Sequence, residues 1–171
     1  MSRPSAEHYS PFMEKYIEQT NGSSIQELIQ NHHQELIDFY TSLPDELADY
    51  AYAEGKWSVK ETLVHVVDTD SVFAYRALVI ARGEQQALPG FDQDQYAANM
   101  NTSEHSFTFW KEAFVAQRRF IEKLITSFSE QQLLKIGSVS DYRLSVNASC
   151  YVLFGHALHH MNILKERYLR K

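Results

Sequence analysis

A chain of 171 residues has the size of one domain and can bury a core without disulfide or metal staples. Its net charge of -6, with no run of Lys and Arg, argues against broad nucleic-acid or anionic-membrane binding. The single cysteine, Cys150, excludes an internal disulfide scaffold and points to the cytoplasm.

The N-terminal MSRPSAEHYS has no apolar h-region, so no secretory leader is expected. Residues 1–22 read as an arm with a short amphipathic piece, closed by the turn signal Asn21-Gly22. A first long helix is expected from about Ser24 to Ser42. Ser24 with Glu27 matches a capping box, and Ile25, Leu28, Ile29, Leu36, Ile37 and Tyr40 keep helical spacing. Pro44 ends it, because proline disfavours helical geometry in the residue before it.

A second helix is expected over 58–82. Ser58 with Glu61 forms another capping box, and Gly83 follows Arg82 as a natural stop. Residues 84–101 contain Pro89-Gly90 and several Asp and Asn. They read as a long connection that crosses one end of the bundle and roofs a site. A third helix is expected over 103–128, with a short capped turn from Ser129 through Leu134. Residues 137–143 read as a loop with a brief extended piece, and a fourth helix runs over 145–170. Leu144–Leu164 lacks Asp, Glu, Lys and Arg, but three His, two Asn and two Ser favour a buried helix over a membrane span. The resulting expectation is all-α: one four-helix bundle over residues 1–171, with a long connection between its second and third helices.

Eight histidines are many for this length. His156 and His160 stand four apart, which on a helix puts both imidazoles on one face, where they can chelate a cation. The protease motif His-Glu-x-x-His needs Glu after the first His, and Ala157 occupies that position. His65 is the best third candidate. It lies in the apolar run Leu63-Val64-His65-Val66-Val67, where burying imidazole costs free energy unless its nitrogens are satisfied. Three neutral imidazoles leave coordination positions open, the catalytic rather than structural pattern for zinc. Imidazole also suits nickel and iron. The competing reading makes each of these a core or cleft histidine without a metal. His159 reads as solvated or supporting, and His8, His32, His33 and His105 as structural or exposed.

The chain resembles the DinB/YfiT-like family of metal-dependent enzymes over roughly residues 25–168. The resemblance is carried by Gly55-Lys56-Trp57-Ser58-Val59-Lys60-Glu61 leading to His65, and by Phe73-Ala74-Tyr75-Arg76 through Gly83 with Leu88-Pro89-Gly90-Phe91-Asp92. A third block is Gly155-His156-Ala157-Leu158-His159-His160 with Leu164-Lys165-Glu166-Arg167-Tyr168. It implies a four-helix bundle holding one divalent transition metal ion, zinc or nickel, on His65, His156 and His160. Ala157 departs from the family pattern, which often has Glu there. Relatives include thiol-dependent transferases, isomerases and proteins described as hydrolases. The resemblance is therefore a guide to fold and metal rather than to substrate; the expected substrate is a small molecule, with a low-molecular-weight thiol as a further cofactor in the transfer version. It also implies a homodimer.

Among other residues, Asp68 is a candidate to orient a histidine or take a proton from metal-bound water, with pairing to an arginine as the alternative. Asp70 reads similarly. Tyr151, five residues before His156, is a candidate for the cleft mouth. An arginine of the second helix, Arg76 or Arg82, can hold a carboxylate or phosphate or anchor the 84–101 connection. Trp57 and Phe91 read as packing anchors, and Cys150 as a small core residue. The expected function is a cytoplasmic metal-dependent enzyme acting on a small molecule, as hydrolase or S-transferase, with neither nucleic acid nor membrane as partner. The alternatives are a non-catalytic metal or small-molecule binding bundle, and a helical interaction protein with unrelated histidines.

Overall fold

The computed structural model describes residues 2–169. In chain order its helices are α1 (Glu14–Ile17), α2 (Ile25–Ser42), α3 (Val59–Arg82), α4 (Gln93–Ala98), α5 (Phe107–Thr126), α6 (Glu130–Leu133) and α7 (Val146–Ile163). α2, α3, α5 and α7 form a four-helix bundle in which α3 packs on α5 and α7, and α2 packs on α5 and α7. Helix makes up 64% of the described residues, and no helix among them is long and apolar enough to cross a membrane.

Serine side chains set where the long helices begin. Ser58 accepts from the Glu61 amide while the Glu61 carboxylate accepts from the Ser58 amide, satisfying two otherwise orphaned N–H groups. At α2 the box is not reciprocal. Ser24 accepts from the Glu27 amide, but the Glu27 carboxylate takes the Ser23 amide and hydroxyl instead. Ser106, not Ser103, caps the third long helix by accepting from the Phe109 amide. The fourth changes character near its end. α7 stops at Ile163 and widens into a π-helical turn, Leu164–Tyr168. The expected terminus at Arg170 lies outside the described residues.

Two elements go beyond the expectation. The connection after α3 contains α4, whose first turn is capped by the Asp92 carboxylate accepting from the amides of Asp94 and Gln95. The 137–143 loop is the tip of a hairpin, β1 (Ile136–Val139) with β2 (Tyr142–Ser145), paired Ile136 to Ser145 and Val139 to Tyr142. Its two-residue turn places Ser140 at a φ of 50°. Leu88 joins this hairpin from the connection: its amide donates to Ser138 O, and its carbonyl accepts from the Ser140 amide, both at 2.9 Å. The roof over this end of the bundle is thus tied to the hairpin.

The core is apolar at its centre, with Leu28, Leu36, Leu63, Phe114, Ile121, Phe154 and their neighbours closed from solvent. Polar features cross it. The Tyr40 hydroxyl donates to Ala157 O at 2.9 Å. Arg118, in the apolar face of α5, meets Asp70 of α3 at 2.9 Å with both side chains fully buried. Arg118 also donates to Leu153 O and lies over the Phe154 ring. Burial pushes the Asp70 carboxyl up to about 6, with Arg118 pulling the other way.

The N-terminal residues are packed rather than loose. Met13 and Ile17 are buried in the core, and α1 lies along α7. Gly155 makes that approach possible, since a Cβ there would overlap the Tyr16 carbonyl.

Candidate metal centre

α3 and α7 face each other, and the three histidines stand on their facing sides. His65 comes from the second turn of α3. His156 and His160, one turn apart on α7, project to the same side. One ligating nitrogen from each lies within 4.8 Å of the others, and all three residues are buried. The Nε2 atoms of His65 and His156 are 3.1 Å apart. Nitrogens that share one zinc at about 2.0–2.1 Å are separated by roughly 2.8–3.4 Å for right-angled to tetrahedral geometry, so this spacing fits a common ion.

The donor set is in the right protonation state. Burial pushes His65 down to about 4. Burial, reinforced by mutual repulsion among the imidazoles and by Lys15, holds His156 and His160 well below the usual histidine range. All three are neutral at pH 7 and offer lone pairs. Nδ1 of His65 and of His156 is buried with no hydrogen-bond partner, and at most one bond can join the two Nε2 atoms. A cation held by the Nε2 lone pairs of His65 and His156 would account for their close approach, while each Nδ1–H, on the far side of its ring, would still call for an acceptor of its own.

Aromatic rings enclose the triad. The Trp57 ring lies 4.5 Å from that of His65 and stacks toward His160. Tyr16 meets His156 and His159 edge-on, at 5.2 and 5.3 Å. His159 is half-buried beside His160. On the side of His156 the site opens into a cleft of about 600 Å³, lined by Lys15, Tyr16, Thr69, Arg76, Phe91 and Tyr142 among others.

The remaining candidates go elsewhere. Asp68 lines a neighbouring cavity of about 410 Å³ under Pro89 and Phe91, where burial pushes its carboxyl up. The Tyr151 hydroxyl donates to Gly22 O at 3.4 Å under the Arg3 guanidinium, so this ring packs against the N-terminal segment. Asp70 is held by Arg118. Tyr75 is exposed, Phe91 lines both cavities, and Cys150 is buried. His32 accepts from the Asn21 amide, His33 lies 3.5 Å from Glu122, and His105 stacks on Phe109. Sequence reasoning missed Tyr16, Thr69 and Tyr142 as cleft residues. Thr69 carried a signal, since it stands one helical turn after His65; the other two come from segments without helical periodicity.

A family model of the DinB superfamily matches residues 28–164. The chain belongs to the DinB superfamily. Over 75 residues it is 27% identical to a protein of Oceanobacillus iheyensis named "Putative metal-dependent hydrolase OB0413". That alignment covers 44% of this chain and 43% of the relative, so the chain spans less than half of the relative's length. Among solved structures, YfiT from Bacillus subtilis, described as a probable metal-dependent hydrolase with an unusual four-helix bundle topology, matches with a TM-score of 0.71. The match covers 99% of this chain and 93% of YfiT at 15% identity, a likeness of fold.

Proposed function

We propose that this DinB-superfamily chain, taken as one domain over residues 1–171, is a metal-dependent enzyme acting on a small molecule. In this reading His65, His156 and His160 hold a single divalent ion, zinc or nickel. The observation that carries it is the convergence of three buried, neutral imidazoles at the wall of a cleft. An ion in that donor set supplies Lewis acidity and lowers the pKa of a coordinated water or thiol. The protein's own part is to keep the imidazoles deprotonated by burial, to orient them between α3 and α7, and to shield one side with Trp57 and Tyr16. The cleft beside His156 admits the substrate.

Hydrolysis is the leading reaction, supported by the names given to the two relatives. Transfer to a low-molecular-weight thiol uses the same open position and is the alternative. Metal analysis of untagged protein tests the site: about one equivalent of zinc or nickel is expected after reconstitution, and His160→Ala should lose it while far-UV circular dichroism stays helical. Cleavage of small esters or amides without thiol selects hydrolase. Metal-dependent consumption of electrophiles only with added thiol selects transferase. Failure of the wild-type protein to take up metal would refute the reading.

A further inference from the structure

Two arginines are buried in the bundle, Arg118 at 0% exposure and Arg76 at 3%. A buried guanidinium without a counter-charge is costly. Arg118 meets this requirement through Asp70. Arg76 does not: among the described residues it has no carboxylate partner. Its Nη2 donates to Pro89 O at 3.0 Å, its Nη1 reaches the Tyr142 hydroxyl at 3.5 Å, and the guanidinium lies over the Phe73 ring. A guanidinium carries five N–H donors, so most of them have no protein acceptor.

Arg76 lines the same cleft as His156. Thr69 lines it too, and its Oγ1 is buried without a partner. On α3, Thr69 stands four residues after His65 and seven before Arg76, so the three share one face. His65 and Arg76 are separated by roughly 16 Å of helix axis. Lys15 adds a second cation at the cleft margin. Asp141, the acidic residue of the lining, is exposed on the hairpin turn.

The geometry points to an oxyanion-recognition site in which Arg76, with Thr69 and the Tyr142 hydroxyl beside it, receives the carboxylate or phosphate end of an elongated small molecule whose other end reaches the histidine triad. The planar fork of guanidinium suits either anion through paired hydrogen bonds. The placement of the far end rests on the triad being the reactive end of the cleft. Anion capture by Arg76 does not itself require the metal.

Calorimetric titration of the full chain, metal-free and zinc-loaded, tests this with named probes. These are the dicarboxylates from succinate to suberate, their matching diamides, inorganic phosphate and phenyl phosphate. At least one acid or phosphate should bind metal-free protein, with the matching diamide at least tenfold weaker. Arg76→Gln, which keeps a donor for Pro89, should lose at least tenfold, and Arg76→Lys should recover part of it. Binding confined to carboxylates or to phosphates names the anion, and either upholds the inference. Equal binding of acid and diamide, unchanged binding by Arg76→Gln, or no binding of any probe overturns it. Should Arg76→Gln fail to fold, the acid–diamide contrast and Thr69→Ala, expected to weaken anion binding several-fold, carry the same decision. Arg76-dependent anion binding without metal uptake would sink the metal reading alone. Metal uptake without it would sink this inference alone.

Discussion

Trp57 and His65 hold their rings 4.5 Å apart at a tilt of 44°, across the turn that opens α3. The Tyr168 hydroxyl donates to Trp57 O at 2.6 Å, so the π-helical turn after α7 fixes the backbone that carries the indole. Trp57 is therefore a built-in reporter on the triad. Nickel added to metal-free protein should quench its emission. Trp57→Phe should remove the response, and Trp110→Phe should keep it. Quenching that persists in Trp57→Phe would place nickel uptake away from the triad.

Gly155→Ala sets two effects against each other. Alanine is the better helix former by about 1 kcal/mol. Its Cβ, however, would overlap the Tyr16 backbone, and backbone cannot rotate aside as a side-chain tip can. We expect a net loss of roughly 1–3 kcal/mol, measured by chemical denaturation. Faster amide exchange across residues 11–20 should accompany it. An unchanged stability would contradict the close seating of α1 on α7.

The Asp70–Arg118 pair should show strong coupling. Removing one partner leaves a buried charge alone and costs about 3–5 kcal/mol. Asp70→Ala and Arg118→Met are each expected in that range, and the double variant well below their sum. Urea unfolding of the four proteins supplies the cycle. Additive losses would mean that each residue acts through packing alone.

Burial pushes the Cys150 thiol up from 9.0 to about 12. The thiolate is the reactive form, so iodoacetamide at pH 8 should leave the folded protein unmodified while alkylating it fully in denaturant. The folded state also holds this proton more tightly than the unfolded state. Its contribution to stability is present below about pH 9 and falls as pH rises toward 12. Cys150→Ala should flatten that alkaline decline.

The long helices were legible because their starts are local: Ser58 with Glu61, and Ser24 before an apolar stripe, encode a helix within a few residues. The hairpin was not, since strands of four residues are too short to establish alternation, and their pairing with Leu88 depends on contacts some fifty residues apart. Arg118 is a buried charged residue among the apolar positions of α5. Its burial depends on Asp70, 48 residues away. In the site, the spacing of His156 and His160 fixes a shared helix face. The meeting of His65 with them across 91 residues is a product of α3–α7 packing that no local pattern encodes.

Leu88 commits both of its backbone groups to the hairpin. The two walls of the cleft that carry Phe91 and Tyr142 therefore cannot part without unzipping those bonds. The margin formed by residues 10–16 is different: among the described residues no backbone hydrogen bond joins it to the hairpin, and Phe12 meets Tyr142 only ring to ring. The N-terminal margin of the cleft, with Phe12, Lys15 and Tyr16, thus meets the hairpin through side chains. This margin precedes residue 28, where the family match begins. The wall of the cleft nearest His156 is therefore partly built by residues outside the family match, so substitutions at Phe12, Lys15 or Tyr16 can reshape it without altering the four long helices.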